Sequence, residues 1–547
     1  MTADASTRIL GRVMLAFEGE VLPARIDRRL VEAPAAGFTL FRHLNVRSPG
    51  QVRELAEAFQ RAGSTWAVPA ELPMLVAADQ EGGQFLALGD GPTAFAGNMA
   101  LGAVDDERLT EAVARAAGTE ARAMGVNVVY APCLDLATNP ANPALGIRSF
   151  GDDPAAVGRH GAAFVRGLQG AGVAATVKHA PGMGHISNDT HHGLAVVDAP
   201  RDVLDAREFV PFRAAFAADT GARLAMSGHL SLPAVTGRDD LPATLSRAAM
   251  TDLLRRDLGF DGVTISDALD MSALAQGPSQ VLDIVAAVRA GIDLLLAAAD
   301  PDALHRIEDA LRRAADRELL DPAEVAATDR RVAALRGWLA VAGPAPDLSV
   351  VGGDAHRALA AELAARSMTL VADPAGVVAR PFLGSDGPRG SHGRILTIMP
   401  RPADLTPADT SSLVAAALAT ALRRYHPDVE EIVTEQSPDD ATIAAIRERA
   451  ADSDVAGVVI GTIDAHRQVA QQRVVEAIAA VSVDRPVVAV ALRGPWDVAT
   501  YPPGVTAVAT YSILPGSLDA LADALAGRAD FPGRLPVRID GLPAAPR

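Results

Sequence analysis

Short apolar runs alternate with longer amphipathic, alanine-rich stretches up to about residue 300 of the chain. This alternation is typical of repeated βα units around a parallel sheet. Eight such units predict a TIM-like (β/α)₈ barrel. An open, doubly wound sheet is the alternative, but it would gather its ligands at one switch point, whereas polar side chains here follow many strands. The eight runs, several of which end on a polar or ionisable side chain, are Ile9–Phe17, Gly37–Arg42, Leu72–Asp79, Val126–Asp135, Ala174–His179, Arg223–His229, Gly262–Asp267 and Ile292–Ala298.

A second set of β-like runs follows a helical pattern at Glu318–Leu339 and a Pro/Gly-rich segment at Val341–Gly353. The segment is typical of an interdomain linker. Because the later runs alternate with helix patterns such as Ser411–Arg424, they predict a smaller three-layer α/β domain. We therefore expect a barrel at 1–340, a linker at 341–353 and a C-terminal domain at 354–547. The later runs are Met368–Val371, Arg394–Met399, Gly457–Ile463, Pro486–Leu492 and Val505–Tyr511.

Composition narrows the classes of function. The 547 residues exceed the ~250 of a typical barrel, which agrees with two domains. Although 49% of residues are hydrophobic, no apolar run approaches the ~18 residues that span a bilayer, and the N-terminus lacks the pattern of a secretion signal. We expect no membrane association and a cytoplasmic location. A net charge of −17 disfavours nucleic acid as a partner. The single cysteine, Cys133, has no intrachain disulfide partner, and we expect it in the core.

Three residues are candidates for catalysis. Asp267 closes an apolar strand and precedes a helix predicted to begin near Ala268, so it either faces the barrel mouth or caps that helix. Asp189 precedes His191 by two residues, and its carboxylate would orient the imidazole for proton transfer near neutral pH. Ordinary hydrogen bonding within a loop is the alternative interpretation, because Asp-x-His by itself is a weak signal.

Four further residues are candidates for binding a ligand. Lys178 and His179 end an apolar strand, where a charged lysine is costly to bury without a partner or ligand. Both suit sugar hydroxyls, although a lysine stem also reaches solvent by snorkelling. Asp79 and Arg148 also point polar groups towards a cleft, and for Arg148 a structural ion pair is the competing interpretation.

Metal and cofactor chemistry is not expected. His179, His185, His191, His192 and Asp189 supply enough donors for a divalent metal, but their spacing matches neither HExxH nor a standard zinc pattern. The sequence also contains no P-loop, no G-x-S-x-G elbow and no clear dinucleotide fingerprint. Asp464, His466 and Arg467 follow a strand of the C-terminal domain, where solvated loop polarity explains them, and we assign that domain no chemistry.

An ordered series of motifs resembles the β-N-acetylhexosaminidases of glycoside hydrolase family 3, especially the two-domain bacterial type. The resemblance implies that Asp267 is the nucleophile, that His191 and Asp189 form the acid/base dyad, and that Asp79, Arg148, Lys178 and His179 contact the sugar. The motifs are DQEGG at Asp79–Gly83, FAGNMALGA at Phe95–Ala103, the long segment Gly125–Gly151, GVAATVKHAPGMG at Gly172–Gly184, LPATLS at Leu241–Ser246 and LGFDGVTISDALDM at Leu258–Met271.

The chain departs from the family pattern around these residues. The usual KHFPGHGDT is KHAPGMGHI here, and these departures put the distal part of the substrate in doubt more than the reaction class. The residues that differ are Ala180, Met183, His185, Ile186, Gln84, Phe85 and Ala195.

The resemblance implies a retaining glycosidase that releases terminal β-linked N-acetylglucosamine from small cell-wall or chitin fragments. Phosphorolysis is the alternative within enzymes, with inorganic phosphate in place of water. A catalytically weak sugar-binding protein is the alternative outside them.

Overall fold

The computed structural model describes residues 5–63, 72–186, 193–217, 221–377, 380–383, 393–482 and 484–542. Asp189, His191 and His192 lie outside the described residues. Their assignments therefore stay predictions from the sequence.

The first half of the chain forms the predicted barrel. Eight parallel strands pair in the order β7-β6-β5-β4-β3-β2-β1-β8, and a parallel bridge between Ile265 and Leu294 links the two ends of the sheet. The interior is filled by apolar side chains such as Met14, Tyr130 and Met226, as in a packed barrel rather than a pore. The strands are β1 (Val13–Leu15), β2 (Gly37–Leu40), β3 (Leu75–Ala78), β4 (Val128–Val129), β5 (Ala174–Ala180), β6 (Leu224–Ser227), β7 (Val263–Ser266) and β8 (Leu295–Leu296).

Helices surround the barrel, and several begin at the Asp-Pro signals of the sequence. Asp153, Asp300 and Asp321 each accept a backbone N–H bond at a helix N-terminus, with proline at the first helical position. The α-helices of this half are Ala5–Arg8, Ala24–Glu32, Arg42–Asn45, Pro49–Gly63, Asn98–Val104, Glu107–Ala123, Pro154–Gly170, Arg201–Ala206, Phe209–Ala217, Pro233–Thr236, Gln280–Ala290, Pro301–Asp316 and Pro322–Ala340, with a π-helix at Ala248–Asp257.

Several predicted boundaries were wrong. The run Ile9–Phe17 begins with a 3₁₀ turn, Ile9–Arg12, and Arg42 belongs to a helix rather than to β2. The strands are shorter than the runs because an apolar run reports burial, and buried side chains continue beyond the last ladder hydrogen bond. The helix at Glu318–Leu339 starts only at Pro322, where Asp321 caps it.

The second half forms the predicted three-layer α/β domain. Its sheet has the order β9-β14-β13-β12-β10-β11, in which only the β9–β14 pair is antiparallel. Separate apolar clusters cover its two faces, one around Ile395 and Val459 and the other around Leu396 and Val458. The strands are β9 (Thr369–Ala372), β10 (Arg394–Pro400), β11 (Val429–Thr434), β12 (Val455–Thr462), β13 (Val487–Ala491) and β14 (Thr506–Ala509), and the helices are Asp354–Ser367, Leu418–Leu422, Asp440–Ala451, Val469–Val481 and Pro515–Leu525.

Two elements of this domain differ from the prediction. The edge strand β11 was missed because its sequence, VEEIVT, carries charged side chains, of which Glu430 pairs with Arg394 and Arg449. The helix expected at Ser411–Arg424 is only a 3₁₀ turn followed by Leu418–Leu422. The residues at its expected start bond to distant groups instead: the backbone N–H of Thr410 donates to the Gln84 carbonyl of the barrel, and Ser411 Oγ accepts from Arg493 at 2.7 Å.

The predicted linker runs along the barrel surface. Arg122 donates to the carbonyls of Ala342, Gly343 and Pro344, and Glu120 accepts hydrogen bonds from Gly352 and His356. The exact domain boundaries stay a prediction. None of the helices in the described ranges is both long enough and apolar enough to cross a bilayer.

Candidate active site

A cavity of about 580 Å³ opens at the C-terminal ends of the barrel strands. Its size suits a small, largely buried ligand. Asp79, Arg148, Lys178, His179 and Asp267 all line it, so the structure brings together every candidate site residue that it describes. Asp79 follows β3, Lys178 and His179 lie within β5, and Asp267 follows β7.

Lys178 is held between two carboxylates. Its side chain is 2% exposed, and its Nζ lies 2.5 Å from Asp79 Oδ1 and 2.7 Å from Glu81 Oε1. Burial acts to lower the pKa of Lys178, but Asp79 and Glu81 outweigh it and hold the pKa above its ordinary value. The alternative interpretation, in which Lys178 snorkels to solvent, is wrong, because the ammonium group is buried beside the cavity between two carboxylates.

Arg148 shares Glu81 with Lys178. Its Nε and Nη2 donate to the two oxygens of Glu81 at 3.0 and 2.9 Å, and its guanidinium stacks on the ring of Phe85 at 4.3 Å. Burial alone would raise the pKa of Glu81, but Arg148 and Lys178 lower it to about 2. Arg148 therefore forms the structural ion pair that was the alternative to a binding role. Its side chain also lines the cavity, so the two interpretations are compatible.

His179 is oriented by a buried carboxylate. Its Nδ1 lies 2.7 Å from Asp135 Oδ2, and its Nε2 lies 3.4 Å from Arg148 Nη2, which is a donor. These partners make Nδ1 the donor and Nε2 the acceptor. Burial acts to raise the pKa of Asp135, but the net effect of His179 and of the Met183 backbone N–H is to lower it.

Asp267 lines the same cavity, next to His179. Its Oδ2 is 4.0 Å from His179 Nε2, and its Oδ1 accepts the Ala268 N–H at 2.8 Å. The prediction of a helix beginning near Ala268 was wrong, since the next α-helix begins at Gln280. Side-chain amides of Gln276 and Gln280 instead bind the Leu269 carbonyl and hold an irregular segment there. Asp267 therefore does not cap an α-helix.

The segment leading to the predicted dyad is fixed at its base. Asn142 donates to the carbonyls of Met183 and Gly184, and Asn139 donates to that of Ile186. Met183 is buried and lines the cavity, whereas His185 contacts Thr138 at 3.2 Å. Met183, His185 and Ile186, which depart from the family pattern, thus all have defined contacts at the base of the loop.

Cys133, Asp135 and His179 have donor atoms within 4.8 Å of one another, the spacing of a metal site. Burial raises the pKa of the Cys133 thiol well above its usual value, so the thiol donates to Asp135 instead of serving as a thiolate ligand. Since Asp135 and His179 already bond to each other, this group fits a metal poorly. Cys133 is buried, as expected.

Comparison with known proteins decides the family. The model of the glycosyl hydrolase family 3 N-terminal domain matches residues 20–335, more than half of the chain. The chain belongs to glycosyl hydrolase family 3. This finding confirms the resemblance predicted from the motifs.

Relatives of this family 3 protein carry related names. It is 32% identical to a "Beta-hexosaminidase A" of Pseudoalteromonas piscicida over 64% of this chain and 61% of the relative. It is 34% identical to a "Beta-N-acetylglucosaminidase/beta-glucosidase" of Cellulomonas fimi over 56% of each chain. The chain thus spans only about three fifths of these two relatives.

The fold matches a solved family 3 structure along nearly its whole length. The solved glycoside hydrolase family 3 beta-N-acetylglucosaminidase from Paenibacillus sp. str. FPU-7 superposes with a TM-score of 0.88 at 32% identity. The match covers 98% of this chain and 99% of that one. Both halves of the family 3 protein are therefore shared with that structure.

The C-terminal domain supplies part of the cavity wall. Thr406, Pro407 and Ala408 line the same cavity as Asp267. The adjoining Asp409 accepts a hydrogen bond from Gln84, which departs from the family pattern, at 3.0 Å. The sequence had suggested no chemistry for this domain, and a run of Thr, Pro and Ala carries no signal of a binding site.

His466 of the C-terminal domain has a structural contact with the barrel. Its Nδ1 lies 2.7 Å from Asp497, and its Nε2 lies 3.1 Å from the Pro140 carbonyl. Asp464 pairs with the buried Arg493 at 3.2 Å. The interpretation of His466 and Asp464 as polar residues of a solvated loop is therefore wrong. His466 connects the C-terminal domain to the barrel, and Asp464 pairs with Arg493 within the C-terminal domain.

Glu81 and Asp135 are site residues that the sequence reasoning missed. Glu81 lies in the DQEGG motif beside Asp79, and Asp135 ends the fourth apolar run. For Asp135 the available signal was a carboxylate at the end of an apolar run, the same signal that indicated Asp79 and Asp267.

We expect Ala408→Phe in this family 3 protein to discriminate between substrates by the size of the leaving group. A phenyl ring at this position would narrow the cavity beside Pro407, so KM should rise roughly tenfold for a bulky leaving group and change little for a compact one. Steady-state kinetics on both substrates would measure the change. Ala441→Phe, on an exposed helix position outside the cavity, is the matched control. Equal effects of both variants would contradict the placement of the leaving group beside Ala408.

Proposed function

We propose that this protein hydrolyses terminal β-linked N-acetylglucosaminides with retention, through a glycosyl-enzyme on Asp267. The observation that carries the proposal is the carboxylate of Asp267 in a cavity that Lys178, Arg148 and His179 also line, with His179 Nε2 only 4.0 Å from Asp267 Oδ2. A fixed anion beside a buried polar cluster suits attack on a sugar whose hydroxyls are bound by that cluster. The names of the family 3 relatives support N-acetylglucosamine as the sugar that is released.

The buried cluster would bind and orient the sugar. Lys178 and Arg148 are cations whose charge is balanced by Glu81 and Asp79, so they would donate hydrogen bonds to hydroxyls while the site stays near neutral. Asp79 has 18% of its side chain exposed and would accept from a hydroxyl. Because these partners are already held by one another, little reorganisation accompanies binding.

The two chemical steps use one nucleophile and one acid/base group. The Asp267 carboxylate attacks the anomeric carbon while the bond to the leaving oxygen breaks, and His191, oriented by Asp189, protonates that oxygen. In the second step His191 takes a proton from water, whose oxygen attacks the anomeric carbon and releases the Asp267 carboxylate. These roles of His191 and Asp189 follow from the family resemblance. Fragments of cell wall or chitin are the proposed source of substrate.

The test uses nitrophenyl β-N-acetylglucosaminide in phosphate-free buffer, with the first-formed sugar followed by NMR. The expected product is the β-anomer of N-acetylglucosamine, and an α-anomer formed first would overturn the retaining mechanism. A 5-fluoro-N-acetylglucosaminyl fluoride should add one sugar mass to the peptide that contains Asp267. An unlabelled peptide from an active enzyme would overturn the nucleophile assignment.

Repeating the assay with added phosphate tests the alternatives. Release of free sugar in both buffers supports hydrolysis. Formation of a sugar 1-phosphate would show that phosphate, and not water, is the acceptor. If calorimetry detected sugar binding but no turnover occurred, the protein would be a sugar-binding protein and not an enzyme. A chelator is expected to leave the activity unchanged, because no step uses a metal.

A further inference from the structure

A buried arginine, Arg12, lies at the opposite end of the barrel from Asp267. Arg12 ends the 3₁₀ turn that leads into β1, and it is only 4% exposed. Its Nε and Nη2 are buried and have no hydrogen-bond partner within the described ranges of the chain. Burial lowers the pKa of Arg12 despite the opposing influence of Asp293, Asp329 and Glu324, as expected for a poorly solvated cation. A buried charge of this kind is costly unless a counter-ion binds it.

The buried carboxylate near Arg12 is already occupied. Asp293 Oδ2 accepts from Arg255 at 2.8 Å, and Asp293 Oδ1 accepts from Arg331 at 2.6 Å and from Thr328 at 2.6 Å. Three guanidinium groups therefore surround one fully buried carboxylate, and only two of them bond to it. The third, Arg12, contributes a buried positive charge that the hydrogen bonds of Asp293 do not satisfy.

A cavity of about 280 Å³ adjoins Arg12. Four arginines line it, namely Arg12, Arg247, Arg289 and Arg331, against two carboxylates, Asp321 and Glu324. Both carboxylates have other partners. Glu324 accepts from Arg247 at 3.2 Å, and Asp321 accepts the Ala323 N–H that caps a helix. The lining residues therefore carry an excess of positive charge, to which the buried guanidinium of Arg12 contributes.

We propose that this cavity binds a small oxyanion of the phosphate class, through Arg12 with Arg289 and Arg331. Guanidinium groups match the oxygens of phosphate in geometry and charge. The volume holds inorganic phosphate with room for a small organic group, so inorganic phosphate and a phosphomonoester share the required chemistry. The site lies at the N-terminal end of the strands and is separate from the cavity that contains Asp267.

The experiment compares wild type with Arg12→Met by thermal denaturation and titration calorimetry. Potassium phosphate is the probe, and potassium chloride at equal ionic strength is the reference. Phosphate is expected to raise the Tm of wild type progressively with its concentration, because a ligand that binds the folded state stabilises it. Arg12→Met should bind phosphate at least about tenfold more weakly, since it loses a charge-assisted contact. Without phosphate its Tm should equal or exceed that of wild type, because the substitution removes a buried charge without a hydrogen-bond acceptor.

Two controls keep the result specific to this cavity. Arg312→Met removes the same charge from an exposed helix position outside the cavity and should respond to phosphate like wild type. If Arg12→Met does not fold, Arg289→Met replaces it, because Arg289 is exposed and lines the same cavity. Equal phosphate responses of wild type and of the cavity variant would overturn the proposal, even if phosphate binds elsewhere, for example near Lys178.

Further probes distinguish the two sources of the oxyanion. Hexose 6-phosphate that binds more tightly than inorganic phosphate, with no response to the free hexose, would identify a phosphorylated sugar. Equal affinities for the two anions would identify inorganic phosphate. Because the measurement is binding to the distal cavity, it is independent of turnover and of the outcome at Asp267.

Discussion

Replacing Asp267 by asparagine is expected to lower kcat on nitrophenyl β-N-acetylglucosaminide by roughly 10³- to 10⁵-fold, as for loss of an attacking group in other covalent mechanisms. The amide keeps the size of the side chain and the contact with Ala268, but it is a poor nucleophile. KM should change much less, because the cluster of Lys178, Arg148 and His179 that would bind the sugar is left intact. Steady-state kinetics in phosphate-free buffer would measure both parameters.

Asp270→Asn is the matched control for this prediction. Asp270 lines the same cavity three residues further on, and the substitution makes the same change in charge. We expect it to lower kcat by less than about tenfold, since it removes only a contribution to the local field. Similar losses in both variants would show that the charge of the cavity, and not attack by Asp267, accounts for the effect.

Glu81→Gln should destabilise the protein by about 3–5 kcal/mol near neutral pH, because it leaves two buried cations without their shared carboxylate. Arg148 would lose its bidentate partner and Lys178 one of its two carboxylates. The same substitution should reduce kcat/KM strongly, since both cations line the cavity. Urea unfolding and steady-state kinetics are the measurements.

The pH dependence of this loss has a definite sign. The pKa of Glu81 is about 2 in the folded protein, below the ~4.3 of an unfolded chain, so its stabilisation is present above the higher value. That stabilisation, about 3 kcal/mol from the shift, is lost as the pH falls from about 4.3 towards 2. The difference in free energy of unfolding between wild type and Glu81→Gln should therefore narrow over this range. A difference that stays constant from pH 7 to pH 3 would contradict the role of the ionised carboxylate.

Glu57→Gln is the control for Glu81→Gln. Glu57 pairs with Arg53 and Arg61 on an exposed helix face, where such ion pairs contribute about 0–1 kcal/mol. A small, salt-sensitive effect at Glu57 and a large one at Glu81 would separate burial from charge alone.

Much of the architecture was predictable because periodicity and end signals are local. Each barrel strand is buried on both faces and so requires an apolar run, and Asp-Pro pairs such as Asp300-Pro301 mark helix starts. Boundaries were less predictable. In β11, Glu430 pairs with Arg394 and Arg449, which are distant in sequence. Gln276 and Gln280 hold an irregular segment where a helix was expected.

The candidate site was partly predictable for the same reason. Residues at the ends of apolar strands, such as Asp79 and Lys178, converge in a barrel whatever their separation in sequence. The sharing of Glu81 between Lys178 and Arg148 has no local signature, although Glu81 lies within a recognised motif.

By itself, the sequence determined the barrel, the three-layer domain, the family resemblance and the cluster of polar residues at the barrel mouth. Only the tertiary structure decided which charged groups share a partner and that Thr406–Ala408 complete the cavity wall. It also decided that, among the residues it describes, no acceptor meets the buried Nε and Nη2 of Arg12. Burial and helix capping depend on neighbours a few residues away and leave a periodic record in the chain. The choice of partner depends on packing between groups such as Gln84 and Asp409, which lie 325 residues apart, and no local pattern records it.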